Sequence, residues 1–353
     1  MKNADFRYMQ PLNGNFCRKK RLFVSRTALY LECGNVVTMN LEKSLKHIFT
    51  GVALVIALLA SERVSAQQDP MYTQYMFNTQ TINPAYVGTW NSYGFMVLSR
   101  MQWVGIDNAP STQTFTFQMP MPNEKVGVGV SLINDRIGLE RRFGLFADYS
   151  YKIAFGNRTD LWMGMKAGFS NYSHNLSEHV LYPGTSDPTF NGDIDIKFMP
   201  NIGFGVFLNN PTYYVGFSVP KLINTKYETE GNNFSVNGEI RNVFMMAGYV
   251  REVSEFIMFK PTMLLKVTSG APLQADISAN FLLREKFWLG ATYRTGDSFG
   301  FIAQWVFDKN LRVGYAIDLS SSSLKNYHNN THEIMVSYEL RLRDQKTFVP
   351  RHF

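Results

Sequence analysis

The sequence predicts an all-β fold: a transmembrane outer-membrane β-barrel of about fourteen antiparallel strands, led by an irregular aromatic-rich N-terminal segment. Three observations point there. From residue 91 onward, large apolar side chains alternate with glycine, small polar or charged ones, the period of a strand. An export signal precedes this region. No uninterrupted apolar run follows residue 66, so spanning by helices is excluded.

Taken in order, residues 39–66 read as a signal peptide. Lys43, Lys46 and His47 form its basic start, Ile48 to Ala60 its apolar stretch, and Val64-Ser65-Ala66 a small-residue cleavage point. The apolar stretch is too short to remain in a bilayer. Residues 1–38 stand ahead of a self-sufficient signal and read as a mis-assigned start, with translation beginning at Met39, or as a disordered extension. Of the 35 Lys/Arg and 28 Asp/Glu in the chain, 25 and 24 lie beyond residue 66. The basic pI therefore belongs to the leading end and does not argue for nucleic acid. Both cysteines, Cys17 and Cys33, also precede the cleavage point, so disulfides and thiolate chemistry are excluded from the exported part.

Residues 67–90 form a pre-barrel segment whose centre, Asp69 to Gly88, is dense in Tyr, Met, Phe and Asn and is pinned by Pro70 and Pro84. It has neither a period of two nor one of 3.6. Asn83-Pro84 favours an extended or turned backbone. So many rings must pack against something, and a barrel lumen is the obvious place. About eight strands fill a barrel with side chains and sixteen or more leave a channel, so a count between these calls for a plug or admits a narrow substrate.

The barrel is expected over residues 91–343, with 344–353 as a C-terminal tail. Strands are expected at 92–101, 112–119, 126–135, 139–154, 160–172, 198–208, 212–219, 242–250, 257–267, 273–283, 286–295, 299–307, 311–319 and 331–341. In 126–135, Val126, Val128 and Val130 face one way and Gly127, Gly129 and Ser131 the other. Phe299, Phe301, Ala303 and Trp305 likewise oppose Gly300 and Gln304. A soluble sandwich would put Lys and Glu on its second face. A glycine-rich second face suits a crowded lumen, with the apolar face turned to lipid. A closed barrel also leaves no unpaired backbone in hydrocarbon.

Short polar turns, such as Pro120 to Asn123 and Asn209 to Pro211, separate most strands. Two long connections, about His174 to Lys197 and Lys221 to Glu239, are expected on the outer rim. Trp90, Tyr93, Trp103, Tyr149, Tyr151, Tyr213, Tyr214 and Trp288 lie near strand ends and suit both interfacial girdles and plain barrel packing.

Chemistry-bearing motifs are weak. His332-Glu333 begins like a zinc motif, but it lies in a predicted strand and has no second His at helical spacing. His174, Glu178, His179 and Asp187 share a loop and read as solvated. Arg142, Asp148, Lys166, Arg294, Arg312 and Asp318 read as lumen charges that pair across the interior. No catalytic residue, metal site or cofactor is expected.

Asp69-Pro70, Tyr72 to Asn78 and Ile82 to Gly88 resemble the start of mature PorP/SprF-family proteins, outer-membrane components of the Bacteroidota type IX secretion system. Arg100-Met101-Gln102-Trp103, Gly105 and Ala109-Pro110 extend the likeness, as do Phe287 to Arg294, Gly314 to Leu319 and His332 to Leu340. The resemblance implies a barrel that assists export or surface attachment of large adhesin-like cargo, in some relatives linked to gliding motility. It implies the secretion machinery, the cargo and outer-membrane lipid as partners. It marks Asp69, Pro70, Tyr72, Gln74, Tyr75, Phe77, Asn78, Asn83, Pro84, Tyr86, Gly88, Arg100 and Trp103 as partner-binding or plug residues. The alternation alone fits equally a porin or channel for small hydrophobic or polar solutes.

Overall fold

The computed structural model describes residues 70–90, 92–156, 158–176, 193–228, 235–307, 310–321 and 323–340. The expected signal peptide, residues 1–38, Asp69 and the tail from residue 344 lie outside them.

The wall is a closed antiparallel barrel of fourteen strands with one extra strand. Its first half comprises β1 (Tyr93–Met101), β2 (Ser111–Pro120), β3 (Val126–Ile137), β4 (Glu140–Ala154), β5 (Asp160–His174), β6 (Ile194–Asn209) and β7 (Tyr213–Val219). Two short strands, β8 (Thr225–Glu228) and β9 (Ser235–Glu239), pair only with each other, within the polar connection expected as a long loop. The wall resumes with β10 (Asn242–Tyr249), the extra strand β11 (Arg251–Ser254) and β12 (Ile257–Thr268). It ends with β13 (Gln274–Leu283), β14 (Phe287–Arg294), β15 (Ser298–Phe307), β16 (Leu311–Ser320) and β17 (Thr331–Leu340).

Neighbours in sequence are neighbours in the wall, except that β10 pairs with β12 rather than with the extra strand β11, and at two further places. β7 pairs with β10 across the inserted hairpin, and β1 closes on β17 with Tyr93 opposite Leu340 and Met101 opposite His332. The extra strand continues β10 past a break at Val250 and pairs with the start of β12. All fourteen expected strands are present. β6 starts at Ile194, inside the stretch expected to be loop.

The register separates the two rims. The short turns after β2, β4, β6, β11, β13 and β15 share one rim with the start of β1 and the end of β17. The long connections after β1, β5, β7 and β16 share the other. In outer-membrane barrels the short turns face the periplasm and the long loops the exterior, so we call these the inner and outer rims.

Alternation sets the faces. Outward, Met165 is 66% exposed and Phe301 53%, while the adjacent inward Lys166 is 4% exposed. In water such a surface would be costly, but against lipid it needs no polar cover. Outward rings gather towards both rims. Phe287, Trp305 and Phe307 stack towards the inner rim, and Tyr293 with Phe299 and Phe169 with Phe198 lie towards the outer one. Tyr149, Tyr151 and Tyr213 belong to this outward set, whereas Trp90, Tyr214 and Trp288 are buried. Among the described residues no helix is long and apolar enough to cross a membrane.

Candidate functional site

The barrel interior is occupied by the chain's own leading segment. From Met71 to Trp90 nearly every residue is buried, including the polar Thr73, Gln74, Asn78, Gln80 and Asn83. Only two short 3-10 turns, Thr79–Thr81 and Pro84–Tyr86, give it regular structure. Asn83, extended as a residue before proline must be, caps the second turn by accepting a bond from the Ala85 N–H at 3.0 Å. The segment lacks a period because wall surrounds it, so no side of it needs to be polar. Its backbone groups must then find partners in the wall.

Towards the outer rim those partners are charged. The Glu333 carboxylate accepts the Thr73 and Gln74 N–H groups, each at 2.9 Å. Thr73 Oγ1 donates to Asp318 at 2.6 Å and accepts from Arg100 Nη1 at 2.7 Å. Arg100 also reaches Asp318 at 2.8 Å and Glu333 at 3.1 Å. Beside them Arg294 pairs with Asp276 at 2.9 Å and donates to the Tyr72 carbonyl at 3.3 Å. Buried charges persist only when paired and hydrogen-bonded. Here Asp318 and Glu333 share Arg100, Asp276 pairs with Arg294, and both groups also grip the segment.

Further along, the contacts become aromatic and amide-like. Tyr75 and Thr262 share a hydroxyl hydrogen bond at 3.0 Å. Phe77 meets Trp288 edge-on at 5.5 Å, with Lys260 and Arg312 over its ring at 5.1 and 5.6 Å. Gln80 donates to Asp148, itself bound to Lys166 at 2.7 Å. Asn83 donates to the Val206 carbonyl at 3.1 Å, and Ser218 donates to the Ile82 carbonyl at 2.9 Å. Tyr86 packs edge-on against Phe207 at 5.5 Å, and its hydroxyl accepts from Trp90 Nε1 at 3.0 Å.

The inward glycines form the bed on which this segment lies. A methyl group at Gly164 would sit 2.3 Å from Ala85 N, and one at Gly127 2.3 Å from the Val87 carbonyl oxygen. At Gly205 it would meet Asn83 Oδ1 at 2.0 Å. Gly88 itself has φ +83°, a left-handed conformation suited to glycine, and lies against Gly127 Cα.

Of the residues marked in the sequence, Tyr72 to Gly88 and Arg100 therefore meet in one interior site, with Pro70 half-buried at its end. Trp103 does not join them. It sits in the β1–β2 loop at φ 49°, near His328. Glu333, Asp318, Arg294, Gln304 and Gln118 also contact the segment, and no sequence motif singles them out for it. In the sequence Glu333 stands in the His332-Glu333 pair and in the His332 to Leu340 stretch, neither of which points to this role. The large inward side chains Leu98, Trp162, Phe207 and Trp288 also belong to this apolar core. Among the described residues no group of three His, Cys, Asp or Glu is placed to hold a metal ion.

A family model described as "Type IX secretion system membrane protein PorP/SprF" matches residues 64–338. No curated protein matches. Among solved structures, the chain is similar to the Pseudomonas putida toluene transporter TodX, at 10% identity and a TM-score of 0.45, covering 80% of this chain and 97% of that one. It is also similar to the Acinetobacter baumannii outer membrane protein Omp33, at 11% identity and a TM-score of 0.40, covering 71% and 99%.

Proposed function

Since the chain belongs to the PorP/SprF family of type IX secretion system membrane proteins, we propose that it assists export or surface attachment of large adhesin-like cargo. Family and barrel fold fit an outer-membrane secretion component rather than an enzyme. In this reading the barrel is a docking scaffold. A folded cargo domain is held at the outer rim, and periplasmic parts of the machine engage the inner rim. No bond is made or broken.

The observation that carries this over a solute channel is the filled lumen. Tyr75, Phe77, Tyr86 and Trp90 occupy the interior, and the wall bonds to them from many strands. A solute path would need that segment to leave. The interior set around Arg100 then serves to keep the leading segment seated, and Trp103 contributes to the outer loops where a cargo would arrive.

The test is deletion of the gene, followed by proteomics of the culture medium and cell surface. Loss or release of large surface proteins is expected. An unchanged surface together with lost uptake of a small solute overturns the proposal, as does rapid swelling of liposomes holding the purified protein in small sugars.

A further inference from the structure

We propose that the leading segment crosses the barrel from the outer mouth to the inner rim, so that the exported chain presents its N-terminal end at the cell surface. Three anchor points give the direction. At one end, the Tyr72 carbonyl is held by Arg294, the last residue of β14, whose Nη1 also reaches Asp297 in the outer-rim turn at 3.4 Å. Thr73 and Gln74 hang from Glu333, the third residue of β17 below the outer β16–β17 connection. Midway, Gln80 reaches Ser131 and Asp148, in the middle of β3 and β4. At the other end, the Gly88 N–H donates to Gln118 at 3.2 Å, and Trp90 covers Gly94, the second residue of β1.

The chain therefore descends through the lumen and then turns back up as β1. Burial points the same way: it is near complete from Met71 and relaxes at Pro70. Cleavage after Ala66 would leave only Gln67, Gln68 and Asp69 ahead of Pro70. A segment that short cannot return through a filled lumen. This holds whether the barrel docks cargo or conducts solutes, so it goes beyond the function proposed above.

The exported part has no cysteine, which makes single-cysteine labelling clean. Gln68→Cys, Asp107→Cys in the β1–β2 loop and Lys125→Cys in the β2–β3 turn are each expressed in the full chain and treated with a membrane-impermeant maleimide. On intact cells, Gln68→Cys and Asp107→Cys are expected to label and Lys125→Cys only after permeabilisation. The proposal falls if Gln68→Cys behaves like Lys125→Cys, or stays unlabelled in both conditions. It also falls if Lys125→Cys labels on intact cells while Asp107→Cys does not, since the rims would then be reversed. Asp69→Cys repeats the measurement should Gln68→Cys fail to assemble. Labelling does not depend on secretion, so its outcome is separable from that of the gene deletion.

Discussion

Replacing Gly164 by alanine should unseat the leading segment while leaving the wall intact. The added methyl lies 2.3 Å from Ala85 N and 2.5 Å from the Ala85 Cα and Pro84 carbonyl carbons. Carbon atoms rest about 3.5–4.0 Å apart, so the segment must retreat by roughly 1 Å. The opposing atoms are backbone, fixed by the Asn83 cap and by the Ser218 bond to Ile82, so no side chain can swing aside. Overpacking of this kind costs about 1–3 kcal/mol. On the β5 side nothing is lost, because alanine keeps the hydrogen bonds of the ladder. If cleavage tracks the population of unseated segment, the rate should rise roughly 5- to 150-fold. The assay is chymotrypsin digestion in detergent, scored at Tyr75, Phe77 and Tyr86, with heat-modifiable gel mobility reporting the folded wall. Ala167→Val, on the lipid face of the same strand, is the control. An assembled Gly164→Ala barrel that is cut no faster than the parent would refute the view of these glycines as a seat.

Arg100→Met leaves Asp318 and Glu333 buried without their shared cation, and should cost about 3–5 kcal/mol, read as a lower unfolding midpoint in heat-modifiability gels. Met165→Arg places a charge towards lipid and should cost about 2–4 kcal/mol if it sits near the bilayer midplane, measured by denaturant titration in lipid vesicles. Combined Tyr75→Ala, Phe77→Ala and Tyr86→Ala should impair surface retention of cargo more than barrel assembly. A fully active triple variant would remove the case for the segment in function.

Most of the wall was legible because each strand carries its own period. Met165 beside Lys166, or Phe301 beside Gly300, declares inside and outside within two residues. The hairpin β8–β9 was missed because it lies in a polar stretch, where no apolar alternation marks a strand. The interior was readable only in outline, for a physical reason. A side chain's inward direction is local, but what it meets there is not. Gly127 and Gly164 read as a generally crowded lumen, while the atoms that require them belong to residues about 40 and 80 positions earlier. Glu333 serves two amide groups some 260 residues away, and no spacing within its own strand could announce that role. Leu98, Trp162 and Trp288 break the small-inside pattern because they complete the aromatic packing.

The seam between β1 and β17 has a consequence for biogenesis. The cylinder can shut only when its last strand arrives, and the leading segment finds its full set of partners only then. Pairings such as Thr73 with Asp318 span 245 residues and form late, because so long a chain must first be brought together. A chain truncated before Thr331 should therefore remain an open, protease-sensitive ribbon with its aromatic leader unburied.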